Sequence, residues 1–178
     1  TMALAGTQNY IENGNQNWTD KEYKEQELVS DAITTSLQKV TSVVKVSKIY
    51  TQRAGTLAHL RTDITGFLKN NKTTLTTVAA VLHPTPAVCG SPRAIAKKFI
   101  LDKEGYSREY YAGFIGPVNE KHLISKLFVN LRCMKIVVKT AYLYSGGGIT
   151  NESIPEEEWE ETRNKLQTML RVLQPFLY

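Results

Sequence analysis

The run His83-Pro84-Thr85-Pro86-Ala87-Val88-Cys89-Gly90-Ser91-Pro92-Arg93 restricts this chain more than any other stretch of its 178 residues. Pro84 and Pro86 fix φ and remove backbone donors, and Gly90 with Pro92 permits a sharp turn into the helix-forming run Arg93 to Ile100. The segment reads as a rigid loop that holds its side chains still, His83 among them. Cys89 lies inside it and Cys133 inside a strand-like run, with no metal or redox spacing between them, so both are expected as reduced thiols.

Composition bounds the rest. With 42% hydrophobic and 22% charged residues, the chain can build one globular domain with a real core. No apolar run approaches the length of a membrane span, and the polar start Gly6-Thr7-Gln8-Asn9-Tyr10 lacks the pattern of a secretion signal. A soluble, cytoplasmic protein with no membrane partner is expected. The net charge of +5 comes from scattered Lys and Arg without interleaved aromatics, which argues against nucleic acid. Basic residues are denser from Arg93 to Lys139, while Glu156, Glu157, Glu158, Glu160 and Glu161 form an acidic cluster. Basic groups of this kind suit a ligand that carries carboxylates.

The order of elements predicts an α+β fold. Asp20 to Val40 has helical periodicity, with Leu28, Val29, Ala32, Ile33, Leu37 and Val40 forming an apolar face behind a cap at Thr19 or Asp20. Val43 to Tyr50 and Ala58 to Phe67 read as strands, and Thr74 to Leu82 and Ser91 to Asp102 as helices. Tyr110 to Val118, Leu127 to Lys135 and Ile136 to Tyr144 read as further strands. The Gly146-Gly147-Gly148 turn then leads to a last helix starting near Pro155. Thr7 to Asn17 reads as a mobile polar loop.

Several side chains stand out chemically. On the last helix, Glu158, Glu161 and Lys165 fall within a stripe of roughly 60° at about 100° per residue. That stripe runs beside an apolar face of Trp159, Leu166, Met169, Leu170 and Leu173. Glu161 and Lys165 would also suit an ordinary surface pair one turn apart. On the first helix, Glu22 and Glu25 lie on the side of Val29 and Ile33, where a buried carboxylate requires a cation or donors. A solvated first turn near the helix N-terminus is the alternative. Two i, i+3 acidic pairs would suit a hard cation such as Mg²⁺. Gly146 and Gly148 allow backbone amides to approach an anion, or merely make a tight turn. Arg132, in a run suited to burial, calls for a planar anion or a structural carboxylate. His83 and Tyr111 are ambiguous by themselves.

Taken in order, these motifs resemble the C-terminal part of the chorismate-binding enzymes over almost the whole chain. Ala5-Gly6-Thr7 is similar to the family's substrate-contacting Ala-Gly-Thr segment, which implies roles for Gly6 and Thr7. Lys21-Glu22-Tyr23-Lys24-Glu25-Gln26 resembles its first metal helix, with Glu25 the matching ligand, Glu22 its acidic neighbour, and Gln26 where histidine is commoner. The resemblance also implies substrate contacts from His83, Tyr111, Arg132, Gly146, Gly148 and Lys165, and metal contacts from Glu158 and Glu161.

The proline loop is similar to the water-using isochorismate synthase branch, not to the amine-transferring enzymes. This implies Mg²⁺-dependent conversion of chorismate to isochorismate, feeding menaquinone or catechol siderophore synthesis. Salicylate synthase and an inert chorismate-binding or scaffold fragment are the alternatives. The implied fold is a mixed, largely antiparallel sheet with helices packed outside. The resemblance places the family's base lysine and acid glutamate upstream of Ala-Gly-Thr. Residues 1–178 are thus expected to be a C-terminal fragment, inactive alone and prone to self-association through exposed sheet.

Overall fold

The computed structural model describes residues 1–12, 14–119 and 124–177 and resolves them into two compact units, Thr1–Asp102 and Lys103–Tyr178.

The first unit is built on one long strand. β4 (Leu57–Leu68) alternates with period two, burying Ala58, Leu60, Thr62 and Ile64 on a single face. β1 (Met2–Asn9) and β3 (Tyr50–Ala54) pair antiparallel with its first half, and β2 (Thr41–Val46) pairs antiparallel with its second. The expected strand Val43 to Tyr50 is therefore two strands. Ser47 interrupts it by hooking onto Asp63, its N–H donating to the Asp63 carbonyl and its hydroxyl accepting from the Asp63 N–H, both at 2.9 Å. The expected loop Thr7 to Asn17 is likewise shorter than read, because Thr7, Gln8 and Asn9 pair with His59, Ala58 and Leu57. Beyond β1, Gln16 folds back to donate to the Gln8 side chain and the Asn9 carbonyl, while Asn13 lies outside the described residues.

Helix α1 (Asp20–Gln38) covers the buried face of the sheet. It starts where expected because Thr19 and Glu22 form a capping box. Its inward stripe is Gln26, Val29, Ile33 and Leu37, against Ala3, Ala5 and Ile64. Alanines on β1 leave room for the helix backbone to come close. Burying each of Val29, Ile33 and Leu37 contributes about 1.5–3 kcal/mol. Leu28, expected on this face, is 61% exposed, and Glu25 is exposed as well. The stripe is narrower than the sequence reading and centred on Gln26, because α1 meets a sheet of small side chains along one line. Helices α2 (Leu75–Leu82), capped by Thr74, α3 (Pro86–Cys89) and α4 (Arg93–Lys103) follow. Val78, Val81 and Leu82 of α2 pack on the core. The rigid proline loop thus contains a short helical turn that buries Cys89.

The second unit is strand-poor at first. The expected strand Tyr110 to Val118 is broken: Phe114–Ile115 (β5) pairs with Phe128–Val129 (β8), and its last residue belongs to a separate strand. Val118–Asn119 (β6) pairs with Ile124–Ser125 (β7). Glu109 and Ala112 have positive φ, a backbone state that breaks a strand. Cys133–Val137 (β9) and Thr140–Tyr144 (β10) form an antiparallel hairpin, so the expected strand Ile136 to Tyr144 begins in one arm and ends in the other. Helix α5 (Pro155–Leu173) starts at a proline with Glu156, Glu157 and Glu158 in its first turn, favourable at the helix N-terminus. None of its residues is fully buried. Trp159, read as core-facing, is 67% exposed, since an amphipathic stripe buries only as far as neighbours reach it. The observed architecture is the expected α+β type, with every described strand pair antiparallel.

Candidate functional site

In the first unit Gly6, Thr7 and Glu22 gather where β1, β4 and the start of α1 meet, whereas Glu25 and His83 lie elsewhere. The register of β1 against β4 slips between Ala5 and Thr7, and Gly6 takes up the slip with φ of +68°. A side chain there would meet Glu22, with the Glu22 Cβ 3.0 Å from the position a Cβ would occupy. Glu22 is thus pressed against the Gly6 backbone. Its carboxylate accepts from the Thr19 N–H at 2.7 Å, the Thr19 hydroxyl at 2.5 Å and the Gln8 amide at 2.5 Å. Burial pushes its pKa up, but the donors from Thr19 and Gln8 outweigh this and leave it below the ordinary 4.5. Glu22 therefore stays ionised, as both a cap and a strand-to-helix tie.

His59 was not singled out from the sequence, yet it lies beside the Ala-Gly-Thr segment. Its Nδ1 is 3.1 Å from the Gly6 carbonyl and 3.1 Å from Thr7 Oγ1. A carbonyl only accepts, so the Gly6 contact requires a proton on Nδ1. The available signal was its place in the alternating strand Ala58 to Phe67, but pairing it with Thr7 required the fold. Glu25 lies one residue before the buried Gln26 and faces outward. His83 caps the C-terminus of α2, and its carbonyl accepts from the Arg93 guanidinium. Burial, then Arg93 and Lys97, lower its pKa and favour the neutral imidazole.

In the second unit the glycine turn is held between a tyrosine and α5. The Tyr111 hydroxyl lies 2.7 Å from where a Cβ on Gly146 would be, so only glycine fits there without displacing the phenol. Tyr111 stacks on Tyr144 with ring centroids 5.3 Å apart, and the Arg108 guanidinium lies 5.6 Å from its ring. Burial, more than its neighbours, raises the Tyr111 pKa, keeping the phenol a donor at neutral pH. From α5, Lys165 donates to the Gly146 carbonyl at 3.2 Å and pairs with Glu161. Glu158 accepts from the Ser153 hydroxyl at 2.5 Å, and its Oε2 lies 3.3 Å from a Cβ position on Gly147. Space around Gly148 is open.

The stripe Glu158, Glu161 and Lys165 read from helical spacing is thus assembled beside the glycine turn. A cavity of about 370 Å³ adjoins it, lined by Gly147, Ile149, Ser153, Pro155, Glu158 and Trp159 among others. Arg132 is half-buried, and among the described residues no carboxylate pairs with it.

The four candidate metal glutamates fall in pairs, Glu22 with Glu25 in one unit and Glu158 with Glu161 in the other. Among the described residues no three His, Cys, Asp or Glu side chains form a metal-binding group within reach of one another. The donor chemistry of each pair, carboxylate oxygen without soft ligands, fits a hard divalent cation.

The decisive comparison is with families of known enzymes, where a model described as chorismate binding enzyme matches residues 1–174. The chain belongs to the chorismate-binding enzyme family. It is 34% identical to isochorismate synthase DhbC of Bacillus subtilis over 86% of this chain and 38% of the relative. It is 37% identical to isochorismate synthase MenF of Escherichia coli, over 87% of this chain and 35% of that protein. The solved structure of the menaquinone-specific isochorismate synthase MenF from E. coli superposes with a TM-score of 0.83 at 35% identity. That match covers 97% of this chain and 41% of MenF, while DhbC from Bacillus anthracis superposes at 0.88 over 98% and 48%. This member of the family therefore spans less than half the length of the relatives it matches. No helix among the described residues is long and apolar enough to cross a membrane.

Proposed function

We propose that this chain supplies substrate and metal contacts of an isochorismate synthase, which converts chorismate to isochorismate by adding water and losing the original hydroxyl. The observation that carries the reading is the superposition of 97–98% of the chain on solved isochorismate synthases at 31% and 35% identity, with curated isochorismate synthases matching 86–87% of it at 34–37%.

Arg132 binds a substrate carboxylate through its planar donors, and the amides of the glycine turn meet an anionic oxygen. Lys165 fixes the turn by holding the Gly146 carbonyl and balances Glu161. Tyr111, kept protonated and braced by Tyr144, offers a hydroxyl at the same turn. Thr7, oriented by His59, presents a second polar contact from β1, and His83 a neutral imidazole. Each within its own unit, the pair Glu22 and Glu25 and the pair Glu158 and Glu161 offer carboxylate oxygens that would hold Mg²⁺, which when bound would cancel carboxylate charge on the substrate. The acid and base for water addition are assigned to neither the internal lysines nor these glutamates, so the 178 residues alone are expected to be inactive.

Phe114, Ile115 and Phe128, exposed in the second unit, support self-association of the isolated chain. Reduced cysteines and a biosynthetic substrate favour a cytoplasmic location. The test is chromatography of chorismate incubated with Mg²⁺ and either this chain or the full-length protein. Isochorismate from the full-length protein only is the expected result. Salicylate instead would move the assignment to the eliminating enzymes, and no metal-linked chorismate binding by the full-length protein would leave an inert scaffold. Isochorismate from the 178 residues alone would refute the absence of an acid–base pair.

A further inference from the structure

The core beneath α1 contains a polar side chain among apolar ones. Gln26 is 0% exposed, and its amide nitrogen donates to the Ala3 carbonyl at 3.2 Å and the Thr62 hydroxyl at 2.9 Å. Ala3 and Thr62 face each other across the β1–β4 pairing. One amide thus pins the helix to both strands at a single rung. Three residues along β1 from that rung is Gly6, and three residues back along β4 is His59, which touches Gly6 and Thr7. On the helix, Glu25 immediately precedes Gln26 and Glu22 lies one turn earlier.

The other half of the amide is not satisfied. Among the described residues Gln26 Oε1 has no donor, and a buried acceptor left without one is destabilising. Methionine would fill much the same volume without that cost. Packing therefore does not account for a glutamine here. Directed donors do: apolar burial is non-directional and leaves a helix free to roll on a sheet, whereas two hydrogen bonds from one planar group set its rotation.

We propose that Gln26 is a positioning residue for this site, its amide setting the roll of α1 so that Glu22 meets the Gly6–Thr7 segment, and Glu25, one residue before Gln26, is presented, in a fixed geometry. This rests on the Mg²⁺-dependent reading above and extends it to a residue that touches neither metal nor substrate.

The experiment compares full-length wild type with Q26M, Q26H and T62V by calorimetric titration with MgCl₂, urea unfolding and steady-state kinetics on chorismate. Q26M is expected to unfold at the same or higher urea concentration while its Mg²⁺ Kd rises about tenfold or more, the loss typical of a lost supporting hydrogen bond. T62V, which removes one of the two acceptors, should weaken Mg²⁺ binding in the same direction and by less. Q26H retains a ring N–H donor and should bind Mg²⁺ more tightly than Q26M. Wild-type Mg²⁺ affinity and kcat/KM in both Q26M and T62V would overturn the proposal, and T62V decides it if Q26M does not fold. Failure of the wild type itself to bind Mg²⁺ would refute the metal reading together with this role. Wild-type binding with unchanged variants refutes the Gln26 role alone.

Discussion

Replacing Gly6 by alanine tests whether the β1 bulge is shaped by its contact with Glu22. Gly6 has φ of +68°, and Gly55, in the turn between β3 and β4, has φ of +66°. Both positions carry the left-handed penalty of about 1–2 kcal/mol for a non-glycine residue. They differ in surroundings. A Cβ at Gly55 meets nothing within 4 Å, whereas at Gly6 it meets the Glu22 Cβ at 3.0 Å, the Glu22 Cγ at 3.3 Å and the Trp18 ring at 3.6 Å. Those atoms belong to a capped helix start and cannot retreat freely, so overpacking adds about 1–3 kcal/mol.

The entropy that alanine removes from the unfolded chain, about 0.4–1 kcal/mol, is common to both variants and cancels in their difference. Urea denaturation of G6A and G55A, extrapolated linearly to water, should therefore place G6A about 1–3 kcal/mol below G55A. Equal stabilities within about 0.5 kcal/mol would show that Glu22 moves aside at no cost. The joint between β1 and α1 would then not be the rigid one described.

Two further outcomes follow from the same geometry. G146A should cost about 1–3 kcal/mol by pushing the Tyr111 hydroxyl from the glycine turn. Y111F should relieve part of that cost, and a double-mutant cycle with coupling under about 0.5 kcal/mol would contradict the contact. For pH, the Glu22 pKa is lower folded than unfolded, so its contribution is complete above the ordinary 4.5 and is lost as pH falls through the folded value. The stability gap between wild type and E22Q, followed by urea midpoints from about pH 6 to pH 3, should therefore narrow with acid; a constant gap would rule this out.

Features legible in the sequence were those with local causes. Thr19 and Glu22 at capping-box spacing start α1 at Asp20, Thr74 caps α2, and Pro155 with three acidic neighbours starts α5. The alternation in Ala58 to Phe67 was local as well, and became the central strand. Helical spacing brought Glu158, Glu161 and Lys165 to one stripe, and the family resemblance pointed to the glycine turn they adjoin. The caps, the alternation and the helical stripe each depend on residues within one short segment.

What the tertiary structure decided were relations across long separations. His59 meets Thr7 only because β1 lies against β4, a pairing of residues 52 apart that no local pattern encodes. Leu28, Glu25 and Gln26 lie within four consecutive residues of α1, yet of the three only Gln26 is buried. Burial depends on where the sheet touches the helix, and here Ala3 and Thr62 offer an acceptor and a hydroxyl at that line of contact. Trp159 shows the converse, since an apolar stripe supplies the tendency to be buried but only a neighbouring element supplies the surface that covers it. The chemistry of the site residues is thus a property of the sequence, and their partners are a property of the fold.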